Sequence, residues 1–412
     1  MLNSDSGNPA AYGRSSGLRS RVLIACAILW IVLGTLPVFC MWPPFPTQEF
    51  FGQSPALQFF GWILLSALVA AAICLFAWFD PEKGSTRMLR YSGFAILAGL
   101  LTALHYRITD LPNGNWQLDR YIDVLRLNDP PPDQYRYLTQ GTLWWFAVTN
   151  GNFILSYLAF RFLFTFLLCN STYLFARLYL TPRQAAIIPL VYAAYYPLSI
   201  WYYCGNLLDP LIHSVMLASL ICCHRRRFWP FFWLFVVGMF IKETMLVFAP
   251  CWYLMNLETF GRRNREAVKD VLLLAGVGLF AFFGLRIPLN FCFTFMSLNR
   301  THEFMIFSNL GLPWGHETNP ASVFQRYLHP FLFVLMWLPL LIWKRRLLPP
   351  SQFWTTFYVA IAIYFVNMLF SWAHESRNFI PALVLLMVSA VSIFNSSRIA
   401  KPAQSPTLQS TS

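Results

Sequence analysis

Long uncharged apolar runs, separated by short polar segments, set the pattern of this chain. About 20 apolar residues are needed to cross about 30 Å of hydrocarbon. Runs of that order occupy Val22 to Met41, Ala56 to Phe79, Gln184 to Leu208, Leu347 to His374 and Asn378 to Ser397. Shorter or interrupted ones are Tyr91 to Tyr106, Tyr137 to Phe160 with Phe162 to Ala176, Leu211 to Cys223, Phe228 to Ile241, Thr244 to Leu257, Val271 to Leu285 and Tyr327 to Trp343. The first run follows Arg14, Arg19 and Arg21 without a small-residue cleavage site, so an anchor is expected rather than a removed signal peptide. The pattern predicts an all-α, polytopic transmembrane bundle.

Composition agrees. Of 412 residues, 57% are hydrophobic, 18% aromatic and 11% charged, against about 25% charged in ordinary soluble domains. That sets aside a soluble enzyme and a disordered chain. A net charge of +13 raises the question of nucleic acid. The 30 Lys and Arg, however, are scattered in twos and threes between apolar runs, with no basic stripe and no RNA-binding aromatic motif. No nucleic-acid partner is expected.

The basic residues instead give orientation, because Lys and Arg stay cytoplasmic. An inside amino terminus places seven clusters on one side: the N-tail, Lys83/Arg87/Arg90, Arg177/Arg183, Arg225 to Arg227, Arg262/Arg263/Arg265/Lys269, Lys344 to Arg346 and Arg398/Lys401. These hold 20 of the 30 basic residues, while 11 of the 17 acids fall on the other side. Two segments are ambiguous. Phe228 to Leu257 is interrupted by Lys242-Glu243, and a single crossing there would send later basic clusters outside; a hairpin of two short limbs keeps them in. Broken helices of that kind are tolerated inside a protein-lined environment. Tyr137 to Ala176 has to cross once, so its start is expected to be an interfacial helix feeding a span that contains Arg161.

The expected plan has about twelve crossings and both termini cytoplasmic. Residues 1–20 form an N-tail, 21–91 two leading helices, 92–397 the core and 398–412 a disordered tail rich in Ser, Thr, Gln and Pro. Outer loops 107–140 and 287–326 are too long for mere connections. No internal repeat stands out.

No Walker A, Rossmann glycine pattern, HExxH or paired CxxC is present. What remains is a set of charged residues on the outer side. Asp133, in Pro132-Asp133-Gln134-Tyr135-Arg136-Tyr137-Leu138, suits a general base toward an acceptor hydroxyl, and equally a helix N-cap. Asp119 and Asp123 stand at i and i+4, a spacing that fits a divalent ion, a base pair or a solvated amphipathic turn. Lys242-Glu243-Thr244 is an ionisable pair at membrane depth, where charge is costly enough to mark function. Lys242 can hold a phosphate oxygen with Glu243 setting its position, or the pair can simply neutralise itself at the turn. His374-Glu375-Ser376-Arg377-Asn378 joins a bidentate phosphate ligand to an acid/base candidate, and also suits helix-boundary anchoring. His316-Glu317 adds a second acid/base pair, and Arg161 either faces the bundle or snorkels outward.

Taken together, these motifs resemble those of the type-C glycosyltransferases, polytopic enzymes that take sugars from polyprenyl-phosphate donors. Asp133-Gln-Tyr-Arg-Tyr-Leu is similar to their first-loop signature, in which an aspartate, usually followed by glutamate, precedes tyrosine and a helix. Gln134 departs from that pattern. Phe240-Ile-Lys-Glu-Thr followed by Pro250 resembles the "KET…P" helix pair of bacterial members. His374-Glu-Ser-Arg-Asn-Phe-Ile-Pro looks like the His-Lys-Glu-x-Arg-Phe stretch of lipid-linked mannosyltransferases, without its Lys and with Asn378 inserted. The likeness covers roughly residues 92 to 395.

The resemblance implies a sugar transfer on the non-cytoplasmic face of a bacterial inner membrane. Asp133 would be the base, with Asp129, Asp123 or Asp119 in place of the second acid that Gln134 lacks. Lys242, Arg377, Arg136 and Arg161 would hold the donor phosphate, and Glu243, His374, Glu375, His316 and Glu317 would support. Partners would be a polyprenyl-phosphate-linked sugar, membrane lipids and an acceptor. No cofactor is required, and Asp119 and Asp123 offer a place for a divalent Mg or Mn ion. A transporter or lipid flippase, or a non-catalytic membrane scaffold of the same fold, uses the same charges differently.

Overall fold

A computed structural model of the chain describes residues 85–108, 138–139, 141–143, 153–200, 208–260, 264–293, 310, 324, 327–370 and 376–399. Among these residues the regular structure is helical and no β-strand occurs. The longer helices are α1 (Ser85–Ile108), α2 (Phe153–Ala176), α3 (Pro182–Ile200), α4 (Asp209–His224) and α5 (Phe228–Ile241). After short turns α6 (Cys251–Leu254) and α7 (Leu257–Phe260) come α8 (Arg265–Phe293), α9 (Leu338–Trp343), α10 (Pro350–Phe370) and α11 (Ile380–Ile399). Among the described residues five segments are long and apolar enough to cross a membrane: Ser85–Arg107, Phe153–Ala176, Arg265–Gly284, Pro350–Leu369 and Arg377–Ser397. The chain is therefore an α-helical membrane protein.

α4 is the centre of the bundle. Every residue from Asp209 to Cys223 is buried, the charged and hydroxyl-bearing ones included. A helix enclosed on all sides by protein meets no lipid, so it needs neither 20 residues nor an unbroken apolar surface. α2 packs along α4 on one side and along α1 on the other, while α5 closes the opposite flank of α4. α2 supports this with Phe160 and Phe164 stacked edge to face at 4.9 Å. Its Thr165, Asn170, Ser171 and Thr172 are buried as well. Small polar residues of this kind let membrane helices approach closely and tie them together. α10 and α11 are joined the same way: Thr356 and Ser389 share a hydroxyl hydrogen bond of 3.0 Å, and Gln352 Nε2 donates to Ser392 Oγ at 3.3 Å. α8 is the opposite case, a peripheral helix exposing Leu272, Leu273, Leu279, Phe280 and Phe283.

The break in the Phe228–Leu257 run is a reversal of the chain. α5 ends at Ile241, Lys242 is extended with φ −158° and ψ 130°, and a 3-10 helix takes over from Glu243 to Phe248. The return limb then runs back along α5. Trp252 stacks on Phe231 at 5.8 Å and meets Phe228 edge-on at 5.2 Å. Asn256 Nδ2 reaches the Cys223 carbonyl at the far end of α4, 3.0 Å away. Because a 3-10 helix rises about 2.0 Å per residue against 1.5 Å for an α-helix, the mixed limb gains length cheaply. Two glycines let the return limb lie close to its neighbours: a Cβ on Gly238 of α5 would lie 2.6 Å from Met245 Cγ, and one on Gly278 of α8 2.6 Å from Leu246 Cδ1.

Antiparallel alternation separates the bundle into two ends. At one end Arg90 of α1 lies over the Tyr173 ring of α2, Gln184 of α3 bonds Asn395 of α11, and Glu258 of the return limb accepts from the Ser351 amide of α10. Arg225 to Arg227 and Lys344 to Arg346 belong to this end. In the turn between α2 and α3, burial, with Glu258 nearby, pushes the Tyr179 phenol up from its ordinary value. The opposite end holds His105, Tyr157, Arg161, Tyr196, Asp209, Lys242 and Arg377.

Candidate functional site

Three chain segments meet at that second end. α4 begins there with Asp209-Pro210, a proline at the first turn, where its missing N–H costs nothing. The α5 hairpin delivers Lys242 at its tip, and a 3-10 turn, Ser376–Phe379, sets Arg377 and Asn378 immediately before α11. Lys242 Nζ stands 3.3 Å from Asp209 Oδ1, and Arg377 Nε stands 3.5 Å from Asp209 Oδ2. Lys242 Nζ also donates to Asn378 Oδ1 at 2.7 Å. Asp209, Lys242 and Arg377 are 4%, 6% and 7% exposed. One carboxylate thus bridges two buried cations, one oxygen to each.

A second layer lies behind it. Arg161 of α2 is 1% exposed and points into the bundle, which settles its direction against snorkelling. Its Nε and Nη2 donate to Tyr196 Oη at 3.1 and 2.5 Å, and its guanidinium lies 5.5 Å from the Tyr196 ring centroid. One turn earlier on α2, Tyr157 pairs with His105 Nε2 at 3.1 Å. Arg161 is near enough to Asp209 to add to its positive surroundings. His213, four residues after Asp209 and on the same face of α4, lines a cavity of about 10 Å³ together with Lys242, Thr244, Asn367 and Asn378. Such a space holds roughly one water molecule among polar partners.

Lys242 and Arg377, 135 positions apart, are thus brought together from the expected set, and Arg161 lies behind them. Glu243, named as the partner of Lys242, is half-buried at the start of the 3-10 helix, and Asp209 also places a carboxylate against the ammonium. Asp119, Asp123, Asp129, Asp133, Arg136, His316, Glu317, His374 and Glu375 lie outside the described residues. So do Trp116, Trp144, Trp145, Trp201 and Trp314, whose rings are of the type that stacks on sugars. Among the described residues no group of three His, Cys, Asp or Glu is arranged for a metal ion.

The sequence motifs assign no role to Asp209 or His213, and they mark Asn378 only as an insertion. By position alone Asp209 is one of the 11 acids on the outer side, at the boundary of an apolar run. The signal was there: Asp209-Pro-Leu-Ile-His213 opens an otherwise apolar stretch, and ionisable groups four apart in such a stretch share a helix face.

Chemically, two convergent cations in a water-poor setting have the donor types that can bind a phosphate: Arg supplies a planar fork of donors, Lys a point charge. Asp209 itself, held between both, is a poor general base, since protonating it would strip each cation of this contact. Comparison with protein-family models, with characterised proteins and with solved structures gives no match.

Proposed function

We propose that this chain is a type-C-like membrane glycosyltransferase, moving a hexosyl or pentosyl unit from a polyprenyl-phosphate donor to a lipid, glycan or protein acceptor on the non-cytoplasmic face. One observation carries the reading: Lys242 and Arg377, from two separate motifs of that resemblance, converge on a single buried carboxylate at the bundle end opposite Arg225–Arg227. By the positive-inside rule that end faces away from the cytoplasm, which in a bacterial inner membrane is the side of the lipid-linked sugar donor.

In the inverting mechanism of this reading, Asp133 takes the proton of the acceptor hydroxyl as that oxygen attacks the anomeric carbon. The anomeric C–O bond breaks and its electron pair leaves with the lipid phosphate. Lys242 and Arg377, with Arg161 behind them and Arg136 from the first loop, neutralise the charge growing on that phosphate. Donors fixed in a low-dielectric cleft do this without reorganising. A monophosphate leaving group needs no metal.

The test is sugar transfer by the purified chain in lipid nanodiscs. Asp133→Asn and Arg377→Ala are each expected to lower turnover by about 100-fold or more; unchanged turnover in both overturns the assignment. The hairpin favours a second reading, because helices broken at membrane depth line substrate paths in many transporters. Flux of a lipid-linked sugar across proteoliposomes, retained after Asp133→Asn, would select it.

A further inference from the structure

The bridging carboxylate has no part in the chemistry just described, yet it occupies the centre of the cluster. We propose that Asp209 is a positioning residue: it holds Lys242 and Arg377 in one anion-binding arrangement for a phosphate monoester, with Asn378 fixing the ammonium from the other side. This rests on the phosphate-binding part of the reading above and adds a residue that neither the motifs nor the transfer mechanism assigns.

The geometry makes the case. Lys242 sits at a hairpin tip, on an extended residue with a helix on each side, and Arg377 sits in a single 3-10 turn. Neither backbone position by itself fixes the head of a long, flexible side chain. Two cations brought together out of water repel, and each has its own rotamer freedom. Asp209 opposes both effects, with Oδ1 toward Lys242 at 3.3 Å and Oδ2 toward Arg377 at 3.5 Å. Its own place is rigid, on the first turn of a helix buried along its length. Asn378 Oδ1, 2.7 Å from Lys242 Nζ, completes the hold.

Charge alone and positioning make opposite predictions for the isosteric variant. Removing a carboxylate raises the local positive potential, so a purely electrostatic role predicts that Asp209→Asn binds an anion more tightly. Positioning predicts that it binds less tightly, because the two cations part. The experiment measures binding of geranyl phosphate and of inorganic phosphate by calorimetry to the full chain in nanodiscs. Asp209→Asn is expected to weaken geranyl phosphate by about tenfold or more, and in a Lys242→Met background to change it little, because the arrangement is already lost. If inorganic phosphate follows the same pattern, the headgroup alone is recognised; if only the geranyl ester does, the site takes the lipid-linked form.

Equal or tighter binding in Asp209→Asn, or no binding of either phosphate to wild type, overturns the inference. Should Asp209→Asn fail to fold, Asp209→Glu carries the test. The extra methylene displaces the bridge, several-fold weaker binding is expected, and wild-type affinity overturns the inference. Failure of the glycosyltransferase reading looks different: phosphate binding with the Asp209 dependence intact, but no sugar transfer.

Discussion

At the scale of single residues, the interior of this bundle is paid for by pairing. Taking a charge out of water costs several kcal/mol, and removing one partner of a buried pair commonly costs about 3–5 kcal/mol. Asp209→Ala, which removes the carboxylate between two buried cations, is therefore expected to destabilise the fold by about that amount. Thermal unfolding in detergent, followed by intrinsic fluorescence, reads the loss. Tyr196→Phe deletes the hydroxyl that accepts two bonds from Arg161 and is expected to cost about 1–3 kcal/mol by the same measurement. Sequence showed which residues carried charge at depth but not which met which. Lys242 and Arg377 stood out because each breaks an apolar context with a basic group. Asp209 did not, because an acid at the end of an apolar run looks like a solvated boundary. Only a helix buried on every side makes that boundary interior, and burial by neighbours is not written into α4's own residues.

Among the elements, the apolar runs located helices well and their ends less well. Phe228–Ile241 coincides with α5 because a charged pair follows it directly. α1 is already helical at Ser85, six residues before its apolar run, because Arg87 and Arg90 extend the helix at the bundle's end. Counting uncharged stretches trims such turns, and it trimmed Asp209 from α4 in the same way. The hairpin was foreseen from the placing of basic clusters. Its 3-10 return limb was not, since that depends on how closely two glycines let it lie. Gly238→Ala is accordingly expected to lower the melting temperature, because Met245 Cγ is near the backbone and cannot swing clear; overpacking of this kind costs about 1–3 kcal/mol. Gly93→Ala of α1, where a Cβ meets nothing within 4 Å, is expected to be neutral or stabilising through helix propensity. The pair of melting curves separates crowding from propensity.

On the scale of the whole molecule, the two ends of the bundle differ in kind. One carries basic clusters at helix ends; the other gathers Arg161, Asp209, Lys242 and Arg377 inside. A cysteine-free background bearing Arg226→Cys is expected to react with a membrane-impermeant thiol reagent only when the reagent is admitted to the cytoplasmic side. Labelling from the outside instead would invert the arrangement and place the candidate site on the cytoplasmic face. The hairpin between these ends also acts as a gauge. Lys242 reaches Asp209 only because α5 has the length it has, 14 residues from Phe228 to Ile241. One residue inserted within α5 would turn the tip by about 100° and lift it about 1.5 Å, carrying the ammonium off the carboxylate while leaving the apolar character of the run untouched. Chains descended from this one can then vary the side chains that face lipid with little consequence, but drift in the length of that limb has no tolerance while the ion pair is kept.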